Sequence, residues 1–359
     1  MLRIRRIQRQ KLMRTGCAVL CVTAFMVAVL SVPAVAKALP DTVCSLLAAQ
    51  VMKDEYARMF KEFSSQYVRP ESYIQCVPIS LSAVPGYDYE EETPPAIPDG
   101  VEFVSGRDLC GYTDTPSLLL SNRTNFNIDL NALATDKLPF SFDTETDSPV
   151  VLILHTHGTE SYLPKGVNYY TPDSTFRSTD ITQNVVSVGK VLADALNAAG
   201  IPTVHDTTMY DEISYNAAYT NSRNAARRWI EQYPTIKCVI DLHRDAIVNA
   251  DGENVKPVTD FAGVSTAQLM LVVGTDDAGA NHPNWKTNLT FATMLQKQAN
   301  DDFPHLMRPV NLRQASFNQQ LASGSFLLEV GSCANTVDEA QEAAKLFARI
   351  FIKVYYEQN

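Results

Sequence analysis

Four short stretches of the sequence carry side chains that can bind a metal ion or move a proton. They are residues 150–161, 239–245, 282–285 and 326–331, and four of the chain's six histidines fall in the first three. Two of the stretches begin as apolar runs of strand length that lead directly to a histidine. Imidazole and carboxylate groups are the ligands of a catalytic zinc, which keeps one position open for water. The pattern therefore predicts a zinc hydrolase.

The first stretch offers His155, His157 and Glu160 after the apolar run Val150–Leu154. Either histidine can point into a site at the end of that strand, and we favour His157 as the ligand, with His155 in a supporting role. Glu160 comes three residues later, so a helical turn would place it on the same face as His157. The alternatives are a histidine that only forms hydrogen bonds and an ordinary acid in the first turn of a helix.

The second and fourth stretches place charged groups at the ends of apolar runs. His243, Arg244 and Asp245 follow the predicted strand Val239–Leu242. We expect His243 to be a metal ligand and Arg244 and Asp245 to orient ligands or substrate. Glu329 lies within Phe326-Leu-Leu-Glu-Val-Gly, where burial would raise the pKa of its carboxyl group and suit it to general acid/base catalysis. The alternative is a structural Glu paired with Arg or with backbone N–H groups.

The third stretch, His282-Pro-Asn284-Trp285, reads as a loop near the site. His282 and Asn284 are candidates for substrate contacts. Trp285 is either a platform for a sugar or peptide, or a buried anchor.

Strands that alternate with helices position these groups. The apolar patterns predict strands at 150–154, 201–205, 239–242, 268–273 and 325–330. Helices are expected from Asp180 or Thr182 to Gly200, from Ser214 or Tyr215 to Tyr233, and over 285–300 and 336–356. This order predicts an α/β fold with a mostly parallel, doubly wound sheet flanked by helices. Ligands of such sheets gather at the carboxyl ends of the strands.

The N-terminal part of the chain predicts a membrane segment. Residues 1–15 are rich in Arg and Lys and contain no acid, and residues 16–36 then run without a charge. That run is long enough to cross a hydrocarbon core of ~30 Å. Basic residues stay on the cytoplasmic side, so the rest of the chain is expected outside the cell membrane, behind a single transmembrane helix. The alternative is a signal peptide cleaved after Ala36.

Composition sets the remaining domain boundaries. Residues 37–100 read as a juxtamembrane helix followed by an acidic, Pro-rich linker, residues 101–149 as an N-terminal extension, and residues 150–359 as the zinc hydrolase domain. With 45% hydrophobic and 19% charged residues, the chain can bury an ordinary core. A formal net charge of −10 argues against nucleic acid as a partner, because a basic patch is expected there.

Five strings in this order resemble the stage II sporulation protein P family. They are HTHGTESY, HDTTMYD, VIDLHRDAI, VGTDDAGANHPNW and FLLEVGSCANT, and the similarity covers roughly residues 100–357. The resemblance implies a membrane-anchored peptidoglycan hydrolase whose fold is similar to the zinc-dependent N-acetylmuramoyl-L-alanine amidases. His157 and His243 match the histidine ligands of those enzymes, and Glu329 matches their catalytic Glu. Their carboxylate ligand is carried onto Glu160, because the helix near Asn184 lacks the usual Glu.

The resemblance also implies a biological setting. It implies cleavage of the amide between muramic acid and L-alanine, and action on peptide cross-links, during septal wall thinning and engulfment in sporulation. The expected partners are peptidoglycan, the membrane, and stage II sporulation proteins D and M. Two alternatives stay open: a zinc endopeptidase that acts only on stem peptides, and an inactive wall-binding scaffold.

Overall fold

A computed structural model describes residues 97–111, 118–133 and 137–357, which belong to one compact unit spanning residues 75–359. The predicted basic segment, membrane segment and juxtamembrane helix lie outside the described residues, as does most of the acidic linker. In the described ranges, no helix is long and apolar enough to cross a membrane.

A seven-stranded sheet forms the centre of this unit. Its strands are β3 (Leu120–Asn122), β4 (Val151–Leu154), β6 (Thr203–His205), β7 (Cys238–Asp245), β10 (Leu269–Gly274), β11 (Val310–Arg313) and β12 (Phe326–Ser332). They are arranged in the order β3-β11-β10-β12-β7-β4-β6. All neighbours are parallel except β10 and β12, which are antiparallel. The predicted α/β fold with a mostly parallel sheet is confirmed.

Five α-helices belong to the described part of the chain. They are α1 (Leu130–Leu133), α2 (Val185–Ala198), α3 (Ala218–Gln232), α4 (Trp285–Asp302) and α5 (Val337–Glu357). The main core lies between one face of the sheet and α2, α4 and α5. Ile240 and Leu242 of β7 and Leu328 of β12 point into it. Every second residue of a strand faces the same side, so the residues between them face the opposite side.

The second face of the sheet is covered only in part. Leu152 and Leu154 of β4 and Val239 of β7 pack there against Ala226 of α3. Beyond α3, toward β12, β10, β11 and β3, the same face forms the floor of an open cleft. Helices α2, α4 and α5 pack on the opposite face of the sheet and do not cover this floor.

Short strands form two small sheets that the sequence patterns did not predict. One pairs β1 (Glu102–Phe103) with β5 (Tyr169–Tyr170). The other contains β2 (Ser105–Arg107), β8 (Val255–Phe261) and β9 (Val264–Ala267). Four of these strands have only two to four residues, too few to show a clear alternation of apolar and polar side chains. The fifth, β8, has seven residues but contains Pro257, which weakens a strand pattern.

Three predicted boundaries are corrected. The N-cap of α2 is Asn184, whose side chain accepts a hydrogen bond from the Val186 N–H at 3.0 Å, and not Asp180 or Thr182. The next helix begins with a 3₁₀ turn at Tyr215–Ala217 and becomes α-helical only at Ala218. Strand β7 continues past Leu242 to Asp245, so His243 lies within the strand instead of after it.

Candidate functional site

The cleft on the open face of the sheet brings together most of the chemically versatile side chains. It has a volume of about 500 Å³, and eight of its lining residues are acids, histidines or arginines from elements far apart in the sequence. They are Arg123, His157, Glu160, His243, Asp245, Arg308, Arg313 and Glu329. The site thus lies on the face of the sheet, across the strands, and not only at their carboxyl ends as the sequence predicted.

Three buried side chains converge at one end of the cleft. Nδ1 of His157 lies 3.5 Å from Oε1 of Glu160, and Nδ1 of His243 lies 3.4 Å from Oε2 of Glu160. One ligand atom from each residue can be chosen so that all lie within 4.8 Å of one another. This is the set that the sequence predicted as metal ligands. The turn after β4 brings His157 and Glu160 together, and it is closed by a hydrogen bond from the Glu160 N–H to the His157 carbonyl at 3.0 Å. His243 comes from β7.

The neighbours of Glu160 keep its carboxylate ionised and fixed. Burial alone would raise its pKa, but hydrogen bonds from His157 and His243 and the charge on His243 outweigh burial and lower it. The Arg244 backbone N–H donates to Oε2 at 3.2 Å. The Arg244 guanidinium donates to the carbonyls of Ser161 and Phe176, at 3.1 and 2.7 Å, and so ties the surrounding loop to β7. Arg244, which the sequence predicted to orient ligands or substrate, thus lies against the loop that carries Glu160.

Asp241 supports His243 from the same face of β7. Nε2 of His243 lies 2.9 Å from Oδ1 of Asp241, and the two side chains form an ion pair. Thr156 holds the Asp241 carboxylate with its N–H at 2.8 Å and its hydroxyl at 2.6 Å. Burial would lower the pKa of His243, but Asp241 and Glu160 raise it well above its ordinary value. A carboxylate behind a ligating histidine is the usual arrangement in metal sites.

Two tyrosines fix the ring of His157. Tyr215 stacks on it with centroids 4.5 Å apart, and Tyr219 of α3 meets it edge-on at 5.5 Å. Nε2 of His157 is buried and has no hydrogen-bond partner among the described residues. A buried nitrogen without a partner, beside a second imidazole and a carboxylate, fits a metal ion, because buried polar atoms otherwise find a partner. His157, Glu160 and His243 could therefore hold one.

Glu329 stands next to this cluster on β12. Its Cα is paired with that of His243 in the parallel register of β12 and β7. Burial raises the pKa of Glu329 to about 8, with smaller contributions from the charges of Asp245 and Glu160. Its Oε2 atom is buried and finds no hydrogen-bond partner in the described part of the chain. A carboxyl group that titrates near neutrality can accept and return a proton.

Asp245 and Arg308 complete this end of the cleft. Arg308 Nη1 lies 3.0 Å from Oδ2 of Asp245, with both side chains mostly buried. The charge of Arg308 also acts on Glu329, lowering its pKa against the effect of burial. Asp245 was predicted to orient ligands or substrate, and the structure places it in the cleft beside Arg308.

The structure places His155 away from the cleft. Its ring continues the alternation of Val151 and Ile153, and so points toward the helices of the main core. There its Nε2 lies 2.8 Å from Nε2 of His205, and its Nδ1 lies 2.9 Å from the Leu242 carbonyl. A supporting contact to substrate from His155 is therefore ruled out by its burial on the opposite face.

Residues 282–285 also lie outside the cleft, which corrects the expectation of a loop near the site. His282 contacts the side-chain amide of Asn288 at 3.2 Å, and Asn284 donates to the Ala322 carbonyl at 2.7 Å. Trp285 is 6% exposed and stacks on Phe126 with centroids 4.9 Å apart. Of the two interpretations of Trp285, the buried anchor matches the structure.

Several residues of the site carry weaker signals in the sequence. Asp241 is an acid in the middle of an apolar strand, the same signal that indicates Glu329, but the predicted site does not include it. Tyr219 and the cleft arginines Arg123, Arg308 and Arg313 carry no local signal, because only the order of the strands brings them to the cleft.

Comparison with known proteins now places the chain in a family. The profile of the family described as Stage II sporulation protein P (SpoIIP) matches residues 112–352. The chain belongs to this family. Its relative from Bacillus subtilis (strain 168), named Stage II sporulation protein P, is 30% identical over 225 residues, which are 60% of this chain and 53% of that protein. The chain thus matches about half the length of this curated relative.

Solved amidase structures show a weak likeness. N-acetylmuramoyl-L-alanine amidase AmiC2 of Nostoc punctiforme has 13% identity and a TM-score of 0.36, over 60% of this chain and 97% of that chain. The catalytic domain of the amidase CwlV from Bacillus (Paenibacillus) polymyxa var. colistinus has 13% identity and a TM-score of 0.35, over 59% and 99%. Likeness at this level assigns neither an activity nor residue roles.

Proposed function

We propose that this chain is a zinc-dependent peptidoglycan hydrolase of sporulation that cleaves the amide between muramic acid and L-alanine. The observation that carries the proposal is the juxtaposition of Glu329 with the ligand set His157, Glu160 and His243 on one open face of the sheet. Membership of the Stage II sporulation protein P family supports the sporulation setting. The names of the amidase structures are consistent with this reaction, but a likeness this weak does not support it.

The donor set favours zinc among the common divalent ions. Two imidazoles and one carboxylate match a catalytic zinc site with an open position, whereas magnesium and calcium prefer sites built from oxygen ligands. When bound there, zinc would lower the pKa of a water molecule and polarise the amide carbonyl.

The residues around the ligand set supply the proton transfers. Glu329, as the carboxylate, accepts the proton of the attacking water and passes it to the leaving amine; its raised pKa makes it a stronger base than an ordinary carboxylate. Arg244 fixes the loop that carries Glu160, and Asp241 orients His243. Tyr215 and Tyr219 keep the ring of His157 in place and shield it from water.

Digestion of purified cell wall with the full-length protein tests the proposal. New α-amines on L-alanine together with free lactyl groups on muramic acid identify an amidase. New amines inside the stem peptides alone would identify a stem-peptide endopeptidase and overturn the proposed reaction; both products together would add endopeptidase action to it. Binding to the wall without any product, by a protein without zinc, would identify a scaffold.

The proposal extends to location and partners. Residues 16–36 would anchor the protein in the cell membrane, with residues 37–100 as spacer and residues 150–359 as the hydrolase outside the cytoplasm. Stage II sporulation proteins D and M are the proposed partners. Protease added to intact cells should degrade the membrane-bound protein from outside, and pull-down from sporulating cells should recover both partners. A freely released, shortened protein would instead indicate cleavage after Ala36.

A further inference from the structure

The end of the cleft opposite the ligand set is basic. Arg123 follows β3, and Arg313 ends β11, so the two arginines lie on adjacent strands at the edge of the sheet. Both line the cleft, and both side chains are exposed. Neither has an ion-pair partner among the residues that the structure describes, unlike Arg308, which is paired with Asp245. Two free guanidinium groups therefore face the same open space.

A polar floor lies beside these arginines. Asn311 of β11 and Ser121 of β3 are paired in register and both line the cleft. Oδ1 of Asn311 is buried without a hydrogen-bond partner in the described ranges. A buried acceptor that faces a cleft is suited to a backbone N–H of an extended ligand, because an unsatisfied buried acceptor is costly.

An apolar strip separates the arginines from the ligand set. It consists of Met270 and Val272 of β10 and Leu327 of β12, which pack with Phe317. A ligand that crosses from one end of the cleft to the other must lie over this strip. Its middle part should therefore present aliphatic surface.

The strand order fixes the span between the two ends. Three strand spacings separate β7 from β11, and the register places Arg313 four residues along β10 from the level of His243. At ~4.8 Å per spacing and ~3.3 Å per residue, the Cα atoms of His243 and Arg313 are roughly 20 Å apart. Both side chains extend into the cleft, so the remaining gap suits about three to four extended residues.

We propose that Arg123 and Arg313 form a subsite for free carboxylates of a peptide that runs across the cleft from the ligand set. This inference rests on the proposed function, in which that peptide is the stem peptide on the amine side of the cleaved amide. Paired guanidinium groups are suited to carboxylates, because each can donate two parallel hydrogen bonds. The subsite would make the enzyme prefer stem peptides with free carboxyl groups over amidated ones.

Binding without turnover provides the first test. The probes are the stem tetrapeptide without muramic acid, which lacks the amide to be cleaved, with its carboxyl groups free, and the same peptide with those groups converted to amides. Each is titrated by calorimetry into the full-length protein. We expect the wild-type protein to bind the free acid more tightly. Each substitution, Arg123→Gln or Arg313→Gln, should raise the Kd for the free acid about threefold, and both together about tenfold, with little change for the amidated probe.

Matched variants separate the effect of the cleft charges on binding from a general loss of structure. Arg227→Gln removes an exposed arginine from α3, outside the cleft, and should leave both Kd values unchanged. Arg313→Lys keeps the charge and should recover part of the affinity. A double variant that binds the free acid as tightly as the wild type would overturn the subsite, as would equal losses for the two probes.

Kinetics distinguish failure of the subsite from failure of the proposed function. With cleavage of the amide established, the double variant should raise KM for the free-acid substrate and leave kcat nearly unchanged. Cleavage with unchanged KM would remove the subsite and keep the amidase. Carboxylate-selective binding that depends on the two arginines, in a protein that cleaves no wall, would keep the subsite and remove the amidase.

Discussion

Glu329 and His243 are direct neighbours on the parallel strands β12 and β7, and both side chains reach the same cleft. The pairing places a carboxyl group with a raised pKa beside a histidine that contacts Glu160. In a parallel pair this proximity is set by the register alone, since the two residues are far apart in the sequence. This relationship places the proposed base beside the proposed metal ligands, and substitutions at Glu329 and His243 should separate the two roles.

Glu329→Gln should abolish hydrolysis while the metal stays bound. The substitution keeps the shape of the side chain and removes the group that accepts a proton. General acid/base catalysis contributes about 10²–10⁴-fold, so wall digestion should slow by at least about two orders of magnitude. Glu231→Gln, on an exposed position of α3, is the control and should retain full activity. Near-normal digestion by the Glu329 variant would make Glu329 a structural residue.

His243→Ala should remove both metal and activity. Two of the three proposed ligands cannot complete the site, and Asp241 would lose its ion-pair partner. Metal content of the purified protein, measured by mass spectrometry, should fall from about one zinc per chain to near zero. His205→Gln, which alters a histidine outside the cleft, should keep its zinc. A His243→Ala protein with normal zinc content would disprove the ligand assignment.

Arg244→Lys should weaken metal binding without changing the ligands themselves. Lysine keeps the charge but cannot donate to both the Ser161 and Phe176 carbonyls, so the loop that carries Glu160 loosens. Changes to groups that orient ligands typically cost about 10–100-fold in metal affinity. Titration with a competing chelator should show that loss, and Arg227→Lys should not. Added zinc should restore activity; if it does not, Arg244 acts on more than the metal site.

Gly189→Ala should destabilise the protein, although alanine favours helices by ~1 kcal/mol. A Cβ at this position of α2 would lie 2.5 Å from Cε1 of His155, whose ring is held by His205 and the Leu242 carbonyl. Overpacking of this kind costs ~1–3 kcal/mol, so the free energy of unfolding in urea should fall. In Gly106→Ala the new Cβ would meet its nearest atom at 3.5 Å, and stability should hold. Equal stability of both variants would show that the His155 ring can move.

His205 should make the protein less stable in mild acid. Burial lowers the pKa of His205 to about 4, against the opposing charges of Asp206 and Asp194, while the unfolded chain titrates near 6.5. Between these values the unfolded state binds more protons, so stability falls as the pH drops from 6.5 toward 4. The loss attributable to His205 is on the order of 1–3 kcal/mol. His205→Gln should flatten the dependence of urea unfolding on pH; an unchanged slope would contradict the assignment.

Much of the fold follows from local patterns. The apolar runs that lead to His155 and His243, and the run around Glu329, form strands β4, β7 and β12 near the predicted positions. Periodic apolar residues likewise located α2, α4 and α5 within a few residues. These signals work because a strand or helix buries one side, and its period appears in the sequence directly. Strand ends were less accurate, since pairing with a neighbour extended β7 to Asp245.

By itself the sequence determined which residues could do the chemistry. His157, Glu160, His243 and Glu329 stand out because a polar or charged side chain in or beside a buried apolar run is costly unless it has a partner or a function. Only the tertiary structure decided which of the candidates meet. The alternation of side chains along β4 directs His155 toward the helices of the main core. Trp285 is buried because it packs against Phe126. Strand order brings Arg123 and Arg313 to the cleft, and strand register places Glu329 beside His243. Both order and register depend on contacts between distant parts of the chain. No local pattern encodes those contacts, because they follow from how the whole sheet buries its core.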